Sequence, residues 1–518
     1  MTSTIPVRRD GRAPAASAPA LRRTLTTPRI VFLVVAAAAP MSGVVGSVPL
    51  AYAIGNGAGV PATFALAGLV LLCFSVGYAA MSRHVVGAGG FYTYVGQGLG
   101  RPPAVAAGLT AVLAYTAAVA GVAGAFGYFA ELVSAAHGLP VPWPVWTGGA
   151  LALTAVMGYR RIDLSARLLA VLMVAEVAVL GLLALAIGVR HGTDTLPVAA
   201  FRPETVLAPG LGVALMFALI SYVGFEAAAL YGEESRDPKR SVPVATYASV
   251  VLITVFFALM SWAAVGAVGA DRVAETAGRE LGDLFFHLSD DYLGTFATGV
   301  MQVLLCTSLF GALLGLHTAA NRYLFVLGRE RVLPGSLARV HPRHGSPHRA
   351  SAVLSVATAA VCGVFALAGA HPYTNLATTM LALGTVGIVA LQAAVAVAVP
   401  VFFRGRPEAH WWRTRLAPVL ALAGLVGALW LLLDNFALVT GSASPWVNRI
   451  PWLVAGAALG GLGRALWLRS RSPEWYRALA TVATTATVAA TPTVAATPTV
   501  AAHAAAAPHA TAHVTDED

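Results

Sequence analysis

Apolar stretches of roughly 20 residues, the length a helix needs to cross a bilayer, recur along almost the whole chain. No other feature restricts the fold as much, because consecutive runs of this kind leave no room for a water-facing surface. Only 11% of the 518 residues are charged and 58% are hydrophobic, with a mean hydropathy of +0.74. A soluble domain carries about 25% charged residues, so a water-soluble globular fold is excluded. The 33 Lys+Arg against 23 Asp+Glu give +10, which in a soluble protein would point to nucleic acid. Here the basic residues fall in short loops between apolar runs, where they set topology and bind no nucleic acid. Cys73, Cys306 and Cys362 all lie inside apolar stretches with no CxxC, so neither a disulfide nor a metal site is expected, and no cofactor is indicated.

Runs fall at 30–54, 61–82, 102–132, 144–160, 163–189, 206–232, 241–269, 293–328, 350–369, 373–403, 414–436 and 449–469, which makes twelve transmembrane helices. The arginines ahead of the first run give it the flank of a signal peptide, but it continues past Pro40 to about Ala53 and reads as a retained helix. Outer loops hold only Arg190, Arg202, Arg272, Arg279 and Arg449 of the 33 basic residues. That bias puts both termini in the cytoplasm of a multi-pass protein of the cell (plasma) membrane. The longest outer connection, residues 270–291, carries six acids, and Leu281, Leu284, Phe285 and Leu288 recur in it at helical spacing. It is expected to form a short amphipathic helix, either a lid or a passive surface element. Residues 1–29 read as a cytoplasmic N-terminal segment. Residues 470–518, where TVAATP repeats, read as a disordered Ala/Thr/Pro-rich tail.

Two runs carry interruptions in corresponding positions. The first contains Pro40-Met41-Ser42-Gly43-Val44-Val45-Gly46-Ser47-Val48-Pro49, too rich in Pro and Gly for an undisturbed helix. The sixth contains Ser221-Tyr222-Val223-Gly224-Phe225-Glu226, a glycine beside an ionisable residue near mid-span. Each opens a block of five runs, the sequence pattern of an inverted-repeat transporter with its site between two broken helices. Free N–H groups at a break can hold a carboxylate and free carbonyls an ammonium, so a zwitterionic amino acid suits both. Glycines that merely allow close helix packing are the alternative.

Residues in four places give the chain a resemblance to the amino acid-polyamine-organocation permease superfamily, from about residue 29 to 468. Gly87-Ala88-Gly89-Gly90-Phe91-Tyr92-Thr93-Tyr94 resembles the segment P-x-A-G-G-x-Y-x-Y, with Val86 where proline is commoner. Gly224-Phe225-Glu226 with Glu233-Glu234-Ser235-Arg236-Asp237-Pro238-Lys239-Arg240-Ser241-Val242-Pro243 resembles G-F-[DE] followed by E-E-x-x-[ND]-P-x-R-x-[IV]-P. Arg322 through Arg329-Glu330-Arg331-Val332-Leu333-Pro334 resembles the stretch after helix 8. Ser42-Gly43-Val44-Val45-Gly46-Ser47 stands where the family has G-[SA]-G-[IV]-F. The resemblance implies an all-α polytopic membrane protein with a five-plus-five inverted repeat, residues 30–189 and 206–403. Helices 1 and 6 are then broken, and two additional helices follow over 414–469. It also implies a substrate held by the backbone of those two breaks.

The candidate substrate-binding residues are therefore Ser42, Gly43, Val44, Gly46, Tyr222, Gly224 and Glu226. Glu176 and Glu226 are the only acids deep in the predicted spans, where an acid costs about 2.5 to 3.5 kcal/mol on insertion scales, so both should face the interior. In resembling proton-coupled permeases the position of Glu176 can hold a lysine, and sodium-coupled relatives bind their ion there. Glu176 is accordingly a candidate coupling residue, with Thr307 and Ser308 of the eighth run as further candidates. Tyr115 is a further candidate, while His317 is given no role. Glu233, Glu234, Arg236, Asp237, Lys239 and Arg240 form a cytoplasmic charge cluster, a solvated loop or a gate paired with Arg83 or Arg322. The expected function is secondary active transport of an amino acid by alternating access, coupled to protons, with sodium the less favoured ion. A polyamine or other organic amine, or amino acid exchange, is the alternative; several ammonium groups would call for more acids than these two. A multi-pass membrane enzyme would need HExxH, paired aspartates or a Ser and Lys at helix depth, and the sole lysine, Lys239, is in a loop.

Overall fold

A computed structural model describes residues 26–480 apart from 38, 86–88, 161–165, 230–234 and 442–443. The first 25 residues, the start of the motif before Gly89, Glu233 and Glu234, and the tail from 481 lie outside the described residues. Among those described, helices account for the regular structure and there is no β-strand.

In chain order the helices are α1 (Thr27–Ala37), α2 (Pro40–Ile54), α3 (Val60–Ser82), α4 (Gly90–Leu99), α5 (Arg101–Ala136), α6 (Trp143–Arg160), α7 (Ala166–His191), α8 (Pro203–Val206), α9 (Leu211–Ser221) and α10 (Pro238–Val268). Then come α11 (Val273–Glu280), α12 (Leu284–Leu293), α13 (Thr295–Arg329), α14 (His348–Leu367), α15 (Thr378–Phe402), α16 (Ala417–Asp434), α17 (Phe436–Thr440), α18 (Pro445–Asn448), α19 (Trp452–Arg471) and α20 (Pro473–Ala478). Among the described residues eight helical stretches are long and apolar enough to cross a membrane, and Pro40–Ile54 and Leu211–Ser221 are shorter apolar helices. Proline sits at the start of α2, α3, α5, α10 and α16, where its missing N–H would have had no helical partner anyway.

Burial separates centre from rim. The apolar window of α5 is 72% buried and that of Pro372–Phe402 67%, against 22% for Ala170–Thr195 and 28% for α14. The centre is built of small residues: a Cβ on Gly121 or Gly124 would come within 2.7 or 2.8 Å of Leu381 or Leu376. Small residues of this kind let helix backbones approach closely where lipid gives no hydrophobic drive to associate. Large side chains on the rim helices instead point outward, among them Val171, Val174, Leu182 and Leu185 of α7.

The first apolar run is two helices, and the junction between them comes a turn earlier than the Pro/Gly-rich stretch suggests. Ala39 takes φ 46 between α1 and α2, and Pro40–Ile54 is helical throughout with Pro49 inside it. A proline at the first position begins a helix as readily as it ends one, so Pro40 marks the start of α2. The sixth run stops at Ser221, turns through Tyr222–Gly224 and resumes as a 3-10 turn, Phe225–Ala229. The outer connection forms two helices, α11 and α12, joined at Leu281, and α4 adds a helix that hydropathy alone does not mark. Past residue 470 the chain remains helical through α20.

Candidate functional site

The first turn of α2 has N–H groups without partners inside the helix, and the helix dipole puts partial positive charge there. A side chain from another helix meets them. Glu176 of α7, 4% exposed, accepts the Met41 N–H at 3.2 Å and the Ser308 hydroxyl of α13 at 2.9 Å, both through Oε2. The Ser42 N–H points at the same Ser308 Oγ at 3.4 Å. One carboxylate thus joins the start of α2 to α7 and α13. Thr307 is not a member of this set, since its hydroxyl donates to the Leu304 carbonyl of its own helix at 2.9 Å.

The expected substrate residues of α2 divide by surroundings. The Ser42 hydroxyl turns back to the Ala39 carbonyl at 2.9 Å, and Val44 is fully buried. Gly43 faces the Phe257 ring so closely that a Cβ would lie 2.4 Å from it. The Gly46 carbonyl accepts the Tyr373 hydroxyl at 3.0 Å. Pro49, having no N–H, leaves the Val45 carbonyl without its usual helical donor.

At the second break Gly224 takes φ 118, a conformation open to glycine and strained for other residues. Its N–H goes to Glu226 Oε2 at 3.0 Å, and Glu226 Oε1 accepts the Tyr115 hydroxyl at 2.5 Å. Both carboxylate oxygens are therefore engaged by the protein itself, which makes Glu226 a support of the break as much as a partner for an ammonium. Tyr222 is fully buried and spends its hydroxyl on the Phe64 carbonyl and Thr254 Oγ1, each at 2.9 Å. It bridges α3 and α10 and packs there. Sequence reasoning gave little weight to Tyr115 and none to Tyr78, whose hydroxyl donates to the Glu226 carbonyl at 3.0 Å. A tyrosine in an apolar helix carries no local sign of a distant partner.

Residues 270–291 pack against α2 by their apolar face. Leu284, Phe285 and Phe286 are 1%, 2% and 3% exposed, so α12 is seated on the bundle. Phe286 meets Phe129 edge-on at 6.5 Å, and Tyr128 stacks on Tyr373 at 4.7 Å. Burial raises the Asp283 carboxyl above the usual range in the turn between α11 and α12, with His287 opposing the shift. His317 pairs with Ser351 at 3.1 Å, away from both breaks. Among the described residues no salt bridge links Arg83 or Arg322 to Asp237, and no group of three or more His, Cys, Asp or Glu could hold a metal.

A helical bundle with apolar rim helices, interrupted helices at its centre and buried carboxylates on the interruptions is the build of a multi-pass membrane transporter. Comparison with known proteins makes the class specific: residues 25–462 match the family described as amino acid permease, and the chain belongs to that family. It is a transporter, not an enzyme. It is 28% identical over 419 residues to an uncharacterised transporter of Mycobacterium tuberculosis (strain ATCC 25618 / H37Rv), covering 81% of this chain and 84% of that one. It is 24% identical to the methylthioribose transporter of Bacillus subtilis (strain 168), over 78% of this chain and 85% of that protein. The branched-chain amino acid permease of the same organism is also 24% identical, with 79% and 86% covered.

Proposed function

We propose that the protein is a secondary active transporter that moves an amino acid across the cell membrane by alternating access, driven by protons. Twelve membrane helices fit this reading: α1 with α2 as the first, α9 with the turn after it as the sixth, and α16 and α19 as the last two. The two interrupted helices then open the two halves of a five-plus-five inverted repeat, with both termini in the cytoplasm. Substrate is held at the breaks, by the backbone around Ser42, Gly43, Val44 and Gly46 and around Gly224. Glu226 steadies the second break, and Tyr222 supports it from behind.

The observation that carries the proposal is Glu176 at the start of α2. Ionised, it takes an amide and a hydroxyl from two other elements; protonated, it loses the charge that suits a helix N-terminus, and its hold on α2 weakens. One proton can in this way loosen α2 from α7 and α13, which is the step that coupling requires. Ser308 shares the role, and Thr307 stands one residue from it.

The test is flux into proteoliposomes with a panel of radiolabelled neutral and cationic amino acids, polyamines and methylthioribose, with proton or sodium gradients. Uptake of an amino acid that rises with an inward proton gradient is the expected result. Uptake of none of the amino acids, or uptake indifferent to pH, overturns the reading. A sugar-like substrate is a second reading, favoured by the similarity to the methylthioribose transporter, and the same panel separates it. Loading the vesicles with unlabelled substrate separates exchange from net uptake.

A further inference from the structure

Three stretches set apart by their motifs meet in space, and tyrosines inside those stretches and, at Tyr78 and Tyr115, outside them do much of the joining. Gly224 and Glu226 form the break after α9, Phe91 lies in the first turn of α4, and Glu330 follows α13 and accepts the Tyr92 hydroxyl of α4. Tyr115 of α5 donates to Glu226 Oε1 at 2.5 Å while Oε2 holds the Gly224 N–H at 3.0 Å. The Tyr115 ring lies over that of Tyr323, with centroids 5.5 Å apart and planes inclined by 28°. Tyr323 in turn accepts the Phe91 N–H at 3.2 Å. From the other side Tyr78 donates to the Glu226 carbonyl, and its ring stacks on Tyr94 of α4 at 4.7 Å. Tyr78, Tyr115, Tyr323 and Glu226 are all at most 5% exposed.

A carboxylate two residues along from the amide it accepts can rotate away, because one hydrogen bond does not fix its plane. A second donor on the other oxygen does. Were the carboxylate to turn, the Gly224 N–H and one carboxylate oxygen would be left buried without partners, which is costly. The Tyr115 hydroxyl is what prevents this, and the ring that carries it rests on the tyrosine that holds α4.

The geometry points to Tyr115 as a positioning residue that fixes the Glu226 carboxylate on the Gly224 amide and, through Tyr323, ties the helix break to α4. This rests on the transport reading, in which α4 lies on the cytoplasmic side and must move when the site opens inward. Tyr115 then sets substrate affinity without touching substrate. Substrate that rearranges the Gly224 turn also releases one end of a chain of contacts ending at Phe91.

Hydrogen exchange by mass spectrometry on the purified full-length protein in nanodiscs, without substrate, tests the link. Tyr115→Phe keeps the ring and removes only the hydroxyl, and it should speed exchange about fivefold or more in peptides covering 219–229, with a smaller rise over 90–99. Tyr323→Phe should speed 90–99 alone, and peptides of α14 should be unchanged in both. Glu226→Gln serves as a second probe and should speed 219–229 as Tyr115→Phe does. In flux measurements Tyr115→Phe should raise KM about tenfold with the maximal rate changed less than about twofold, and should add almost nothing in a Glu226→Gln background. Unchanged exchange over 219–229 in folded Tyr115→Phe and Glu226→Gln, or KM costs that simply multiply in the double variant, overturns the proposal. Because the exchange experiment needs no substrate, a wild-type protein that moves no amino acid would defeat the transport reading alone.

Discussion

Glu176 and Gly43 show how much a single side chain, or its absence, decides at the first break. Glu176→Gln keeps size and can still accept from Met41 or Ser308, but it cannot carry a proton. We expect gradient-driven accumulation to fall at least about tenfold while equilibrium binding changes less than about threefold, the loss expected of a proton carrier whose hydrogen bonds largely survive. Uptake and binding measured in the same vesicles decide it, and accumulation on a proton gradient alone by the Gln variant would dismiss Glu176 as the coupling group. Gly43→Ala puts a Cβ into the Phe257 ring, 2.4 Å away before relaxation. Overpacking of this kind costs about 1–3 kcal/mol, so thermal unfolding in detergent should come at lower temperature, and Phe257→Leu should restore some of the loss. The identity of Glu176 as an intramembrane acid is legible from hydropathy, because an acid in an apolar run is expensive and must have a partner. Which amide it holds is not, since Met41 and Ser308 are 135 and 132 residues away from it.

Among the elements, the turn after α9 and the outer pair α11 and α12 carry the clearest expectations. Gly224→Leu forces a side chain onto a backbone at φ 118 and should abolish ligand-induced thermal stabilisation while the protein still inserts in the membrane. Undiminished stabilisation by substrate would take this turn out of the site. Leu284 and Phe285 read from the sequence as one face of an amphipathic helix, and the structure buries both. Replacing both by serine should lower stability by roughly 1.5–3 kcal/mol per side chain, and flux with it, as full burial of such residues is worth about that much. A stable, fully active double variant would make α12 a passive covering. Helical spacing is enough to mark that face. That the neighbouring Phe286 meets Phe129 edge-on depends on packing between distant elements, which spacing does not encode.

For the whole molecule the proposed topology makes a direct prediction. In a variant lacking Cys73, Cys306 and Cys362, a cysteine replacing Arg272 should react with a membrane-impermeant maleimide on intact cells. One replacing Arg339 or Arg404 should react only after permeabilisation. The reverse pattern would invert the assignment of sides, and equal labelling would break the twelve-helix reading. Support for the assignment comes from the distribution of arginines, which follows from the cost of moving positive charge through a bilayer against the inner leaflet's attraction.

By itself the sequence determined that the chain is helical, apolar enough to cross a membrane repeatedly, interrupted near Pro40 and Gly224, and marked by motifs of the amino acid permease family. These properties are local or compositional: each is set by about 20 consecutive residues or fewer. The tertiary structure alone decided that α2 begins at Pro40 instead of unwinding after it, and that Glu176 faces its first amide. It also decided that Tyr222 packs between α3 and α10 and that Tyr115 meets Glu226 across 111 residues. Buried polar groups must find partners wherever the fold supplies them, and which helix supplies them is fixed only when the bundle closes.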